Sequence, residues 1–291
     1  MYFNNNQANF TTLRINGPAH VHLSHGESEK SSMTSNQLKA YDYAFIAGQA
    51  SADRILQNVK RFDAKHLIEI GRPQFDSVQP TSFPDLAGRT RVLYAPTWEG
   101  DGHDMAYGSL DTSGEEIVEE LLSDERIQLI FRPHPKTGAL SASYARSLAR
   151  VKHRLGVANA KGSALHVVDT TAIAMATIKA CDVIISDTSA MSMDAVGLDV
   201  PLVLTVGSRP ETEMATTPDH AHAGLRDVIP TLDGMPVSAL PTWLISQAAA
   251  GVSPQQRQFR EYVFGSAYAA SGTERFIVAM QSVTADTSPE R

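Results

Sequence analysis

The sequence predicts an α/β fold of two doubly wound parallel-sheet domains, and three observations predict it. Short apolar runs recur along the chain, helix-like segments separate them, and one stretch rich in Pro, Ser and Gly interrupts the rhythm. The runs are Ala19 to Leu23, Tyr43 to Ala47, Leu67 to Ile70, Val92 to Tyr94, Ile127 to Phe131, Leu165 to Val168, Val183 to Ile185 and Pro201 to Leu204. Most are short and continuously apolar, as parallel strands covered on both faces require. Between them, segments such as Gly114 to Leu122 carry apolar pairs one turn apart, Ile117 and Val118 with Leu121 and Leu122, which is one buried helix face.

The interrupting stretch, Gln79 to Gly88, has little periodicity and lies between two strand-like runs, so a domain boundary is expected at residues 84 and 85. Residues 85–284 hold enough strands and helices for a complete Rossmann-like domain. Residues 1–84 supply about three strands, below the roughly five or six of an ordinary sheet, so the N-terminal domain reads as truncated. Helices from about Pro254 to Val283 are placed to cross back onto it, and residues 285–291 read as a flexible tail.

Composition excludes several classes. The chain has 291 residues, 42% hydrophobic and 20% charged, which is the make-up of a globular protein with a sizeable core. Its net charge of −7 argues against a nucleic-acid coat, so an anion site has to be local. The one cysteine, Cys181, allows neither an intramolecular disulfide nor a cysteine metal cluster; it reads as a small core residue of a cytoplasmic protein. His220 and His222 alternate as strand ligands do, but no third ligand of clear spacing accompanies them, and no metal or cofactor is expected. No G-x-G-x-x-G fingerprint supports a dinucleotide oxidoreductase. The segment Met1 to Gln7 lacks a basic patch followed by an apolar run, so it is not read as a secretory signal. The apolar stretches fall far short of the roughly 20 residues of a spanning helix, which argues against insertion and leaves peripheral contact with a membrane surface open.

Three strand ends carry candidate chemistry. In the first, a strand ends at His25 and Gly26 turns the chain, with Lys30 one turn on. Such a histidine either takes a proton from an attacking hydroxyl, with Lys30 drawing in phosphate, or caps the following helix. In the second, Pro133 and Pro135 bracket His134, and Arg132 and Lys136 add two more potential phosphate donors. This is either a rigid cationic cluster suited to a nucleotide diphosphate or a structural turn with solvated charges. In the third, a buried strand runs through Ser186, Asp187, Thr188 and Ser189 into a helix that carries Asp194. Hydroxyls and helix-start N–H groups converge there, a geometry that binds phosphate and equally caps the helix. Two further strand ends, at Gly71-Arg72-Pro73 with Asp76 and at Tyr94-Ala95-Pro96-Thr97-Trp98, put Arg72 and Thr97 at the same edge of their sheets, for ligand or for structure.

The order of these motifs, from His-Gly with its lysine through Gly-Arg-Pro, Tyr-Ala-Pro-Thr-Trp and Arg-Pro-His-Pro to Ser-Asp-x-Ser, resembles the CDP-glycerol glycerophosphotransferase family of teichoic acid synthesis. The resemblance runs from about Asn4 to the Gly272-Thr273-Glu274-Arg275 segment. It implies a GT-B architecture with the site in the cleft between two Rossmann-like domains. It also implies a phosphotransferase of the EC 2.7.8 type, moving glycerol phosphate from CDP-glycerol, or another CDP-polyol, to a hydroxyl of a polyol-phosphate or lipid-linked glycan acceptor and releasing CMP; a GT-B glycosyltransferase using a nucleotide sugar and a truncated, non-catalytic nucleotide-binding module are the alternative readings. On this resemblance His25 matches the general base and His134, beside Arg132, the histidine that contacts the donor's phosphates. Ser186, Thr188 and Ser189 fall on the phosphate-binding turn and Asp194 on an acidic position of the next helix. Glu27 and Ser28 stand where the family often has Thr-Pro, and Thr188 where it commonly has an aromatic.

Overall fold

The structure is a computed structural model. It describes residues 1–4, 6–23, 35–84, 86–100, 108–162, 165–205, 224–265 and 271–286; the predicted site residues His25 and Lys30, and His220 and His222, lie outside these. Each of the eight apolar runs carries a strand. The chain divides into two compact units, Met1–Val78 with Gln258–Arg291, and Gln79–Arg257. The division thus falls where the Pro/Ser-rich stretch begins rather than at residues 84 and 85, and the last helices group with the first 78 residues.

In the first unit a single helical turn, α1 (Asn9–Thr12), precedes three parallel strands, β1 (Val21–Leu23), β2 (Tyr43–Ile46) and β3 (Leu67–Glu69), in the order β1-β2-β3. Alternation along β2 explains how so small a sheet is covered. Ala44 and Ile46 join Leu38, Ala52, Ile55 and Val59, contributed largely by α2 (Gln49–Asn58). Phe45 points the other way, into a cluster with Val21, Ile70, Ala279 and Val283, and meets Phe276 edge-on at 5.9 Å. That second face is built by residues from the far end of the sequence, and burying a side chain such as Phe45 there stabilises the unit by roughly 2 kcal/mol.

The second unit holds β4 (Thr90–Ala95), β5 (Ile127–Phe131), β6 (Val167–Val168), β7 (Val183–Ser186) and β8 (Leu202–Leu204), all parallel, in the order β6-β5-β4-β7-β8. Counted from β4 this is 3-2-1-4-5, the doubly wound order. The chain builds outward through β5 and β6, then returns to the other side of β4 to lay down β7 and β8. Direction reverses between β4 and β7, and ligands of open α/β sheets bind beyond the carboxyl ends of strands at such a switch point.

Both faces of this sheet are covered, which is why its strands read as continuous apolar runs. Val92, Tyr94, Leu129, Phe131, Val183 and Ile185 face a core filled by α3 (Glu115–Ser123), α4 (Ala142–Lys161) and α8 (Leu240–Ala250). Leu93, Ile130 and Ile184 point to the opposite face and are equally buried. The remaining helices of the unit are α5 (Ala174–Lys179), α6 (Ala190–Gly197) and the short α7 (Leu225–Val228); α9 (Pro254–Phe264) and α10 (Gly272–Asp286) follow. No described helix is long and apolar enough to cross a membrane.

Candidate active site

The switch point is built from the loops that leave β4 and β7, and those loops are stapled together. Ser186 Oγ donates to Ala95 O at 2.9 Å, tying the last residue of β7 to the last residue of β4. Asp187 is fully buried and faces inward: Oδ2 accepts the N–H of Thr97 at 2.6 Å and of Ser109 at 3.2 Å, and Oδ1 accepts the Thr205 hydroxyl. Burial pushes its carboxyl upward and the hydrogen bonds from Ser109, Thr205 and Thr97 pull the other way. Asp187 therefore joins three segments and offers nothing outward to a phosphate. Tyr94 extends the same buried network through a 2.9 Å bond with Ser109 Oγ.

Past Asp187, Ser189 is the N-cap of α6. Its hydroxyl accepts the Met191 N–H at 3.2 Å, and its own N–H reaches Ser192 Oγ at 3.0 Å, a capping box. Thr188 is half-buried at the rim of the turn, and its hydroxyl accepts from Arg226 Nε of α7 at 3.4 Å. Asp194 lies further along α6, buried within the helix body rather than at the turn.

The end of β5 is organised differently. Arg132 turns towards the end of β6, where Nη1 pairs with Asp169 Oδ2 at 2.5 Å and Nη2 donates to Thr171 O at 2.7 Å. Asp169 also accepts the Thr171 N–H at 2.9 Å and the Thr177 hydroxyl at 2.5 Å. Burial alone would raise the Asp169 carboxyl, but these partners hold it below the ordinary range. The guanidinium expected at the phosphates is thus committed to a largely buried ion pair. His134 accepts the Lys136 N–H on Nδ1 at 3.1 Å, so a neutral ring carries its proton on Nε2. The ring stacks on Trp98 at 5.7 Å and 15°, and Lys136 Nζ lies 4.7 Å from the centre of the same indole.

Glu99 fixes that arrangement. Its carboxylate accepts the N–H groups of Gly138 at 3.0 Å, Leu140 at 2.9 Å and Ser141 at 3.1 Å, clamping the turn that leads into α4. Burial would raise the carboxyl; the backbone donors outweigh it and hold it low. The turn needs glycine at 138, where φ is +82° and a Cβ would come within 2.8 Å of Ala145 Cα. Thr97, buried at 7% exposure, contributes its N–H to Asp187, so the Tyr-Ala-Pro-Thr-Trp-Glu loop is the shared wall of both strand ends.

In the first unit Arg72 lies over the Phe75 ring, 5.3 Å from its centre. Asp76, four residues on, accepts the N–H groups of Gly272 at 3.1 Å and Thr273 at 2.7 Å at the start of α10. Gly71 sits at φ +68°, and a Cβ there would overlap Arg275 Nη2, so the Gly-Arg-Pro turn packs directly on the Gly-Thr-Glu-Arg segment. Sequence reasoning missed Glu99, Asp169, Ser109 and Arg226. Of these only Glu99 had a local signal, its place next to Trp98; Asp169 meets Arg132, Ser109 meets Asp187 and Arg226 meets Thr188 across 37 residues or more.

A profile of the family described as CDP-Glycerol:Poly(glycerophosphate) glycerophosphotransferase matches residues 16–208. The chain belongs to this family. It is therefore a transferase of glycerophosphotransferase type, and the matched span runs from the His-Gly segment through the Ser-Asp-Thr-Ser turn. Solved structures agree on the α/β, GT-B-like fold. The wall teichoic acid polymerase TagF superposes with a TM-score of 0.53 at 13% identity, over 94% of this chain and 69% of that one. A histidine variant of TagF soaked with CDPG gives 0.57 at 13% identity over the same shares. A putative UDP-N-acetylglucosamine 2-epimerase from Listeria monocytogenes gives 0.59 at 14% identity, over 97% of this chain and 71% of that one. A search of curated proteins finds no match.

Proposed function

We propose that this chain transfers glycerol phosphate, or a similar polyol phosphate, from a CDP-linked donor to a hydroxyl of a cell-wall polymer or lipid-linked acceptor and releases CMP. The observation that carries the reading is the family match over residues 16–208, which takes in every strand-end motif from His25 to Ser189. The acceptor oxygen attacks the phosphorus that bears the polyol and its proton passes to His25. The bond from that phosphorus to the bridging oxygen breaks, and the electron pair leaves with CMP. Such a transfer asks the protein for positioning and for charge stabilisation. His134, with its Nε2 proton, is suited to donate to a phosphoryl oxygen, and the stack on Trp98 holds the ring still for that role. Thr188 and Ser189 mark where the donor's phosphates meet the second unit.

The experiment is CMP release from CDP-glycerol, set beside CDP-ribitol and UDP-sugars, with a glycerol-phosphate acceptor. CMP release from CDP-glycerol that depends on the acceptor is the expected result; release of a nucleoside diphosphate from a UDP-sugar instead would overturn the reading. Exchanging His25→Ala lowers turnover by roughly 10²- to 10⁴-fold with donor binding nearly intact, as for a lost general base.

A further inference from the structure

A donor diphosphate needs a cation, and the cations the sequence put forward at the end of β5 are engaged. Arg132 is paired with Asp169, and Lys136 lies on the Trp98 ring. At the end of β7 the cation comes from a part of the sequence no motif marked. Arg226 of α7 places Nε 3.4 Å from Thr188 Oγ1, at the rim of the switch point. Asp227, its neighbour in sequence, and Asp187, the neighbour of Thr188, are otherwise bonded. Asp227 Oδ2 accepts the Gly224 N–H at 2.7 Å, and Asp187 is closed on Thr97, Ser109 and Thr205. Among the described residues no carboxylate forms an ion pair with Arg226, whereas Arg126, Arg132, Arg150 and Arg154 each have one. A half-buried guanidinium anchored by a neutral hydroxyl keeps its whole charge and its fork of Nη donors for an anion.

We propose that Arg226 holds the nucleotide-side phosphate of the donor at the turn after β7, an inference that rests on reading the chain as a CDP-linked phosphotransferase. The nucleotide of a doubly wound sheet sits beyond the strand ends at the switch point, and Arg226 and Thr188 belong to that sheet's own unit. The phosphate they reach is the one next to the nucleoside, which CMP retains. When the bridging bond breaks, the electron pair collects on that phosphate, so the same guanidinium stabilises the leaving group.

The test is calorimetric binding of CMP and of cytidine, with CMP release from CDP-glycerol measured in parallel. Arg226→Gln keeps an N–H for Thr188 and removes the charge, so the fold is retained while CMP binding weakens by about 10- to 100-fold, the range of one charge-assisted hydrogen bond. Cytidine binding stays unchanged, and Arg226→Lys, a point charge without the fork, falls between the two. A folded Arg226→Gln protein that binds CMP as the unaltered chain does would overturn the assignment alone. An unaltered chain that binds CMP but releases none from CDP-glycerol with any polyol-phosphate acceptor would overturn the reaction and leave the Arg226 assignment standing. An unaltered chain that binds no CMP overturns both.

Discussion

At the end of β5 the charged side chain that follows the strand, Arg132, reaches sideways to Asp169 and Thr171. At the end of β7 the charged side chain in the same position, Asp187, turns back beneath the loops and bonds Thr97, Ser109 and Thr205. Both first positions are structural, and in both loops what faces outward comes later. After β5 it is His134, steadied by Trp98 and by the Glu99 clamp; after β7 it is Thr188, with Arg226 brought to it by α7. A strand-end charge in a parallel sheet starts next to buried backbone. Burial there is costly unless the polar group finds a partner at once, so the residue nearest the strand tends to be consumed by the fold.

That comparison is broken or sharpened by a graded series of substitutions. The largest effect is expected at Asp187→Ala, which strands two buried N–H groups and a hydroxyl and costs on the order of 4 kcal/mol. Thermal or urea unfolding measures it, and a loss below about 1 kcal/mol would show that the β7 staple is not what holds the loops. Next is Arg132→Ala, which leaves Asp169 buried without its counter-charge and costs about 3 kcal/mol. A loss of donor affinity with unchanged stability would return Arg132 to the phosphate site.

A smaller effect, with a pH signature, is expected from Glu99→Gln. Because its folded carboxyl sits below the ordinary value, the stabilisation is fully present above the ordinary glutamate range and is lost as pH falls through the folded value. The melting-temperature gap between the unaltered chain and Glu99→Gln is therefore a few degrees near neutrality, narrows once pH drops below the ordinary glutamate range, and closes only below the folded value. A gap that does not change with pH would contradict the clamp. The smallest change is at Thr188→Val, which keeps the shape of the rim and loosens Arg226. Stability moves by less than about 0.5 kcal/mol, while CMP binding weakens by less than about tenfold.

How much of this was legible in the sequence follows the range of the interactions. The strands were legible because β4, β5 and β7 are buried on both faces, and continuous runs such as Ile127 to Phe131 have no other use. The grouping of the last helices with the first unit was legible only in outline, since the cluster of Phe45 with Ala279 and Val283 is a contact between chain ends. The site loops were legible by location, because Pro133, Pro135 and Gly138 announce sharp turns at strand ends. The direction of each charge was not. Arg132 and Asp169 are 37 residues apart, Thr188 and Arg226 are 38 apart, and Ser109 and Asp187 are 78 apart, separations over which no local spacing rule operates. His134 was legible by location too, but the tautomer that makes it a donor depends on a bond to the Lys136 backbone that only the folded turn forms.

The division of labour between the two strand ends is tested most directly by measuring CMP affinity and unfolding free energy together for Arg132→Ala and Arg226→Gln. The account predicts that Arg132→Ala loses about 3 kcal/mol of stability and keeps most of its CMP affinity, while Arg226→Gln keeps its stability and binds CMP about 10- to 100-fold more weakly. The opposite pattern, with affinity lost at Arg132 and stability lost at Arg226, would contradict it.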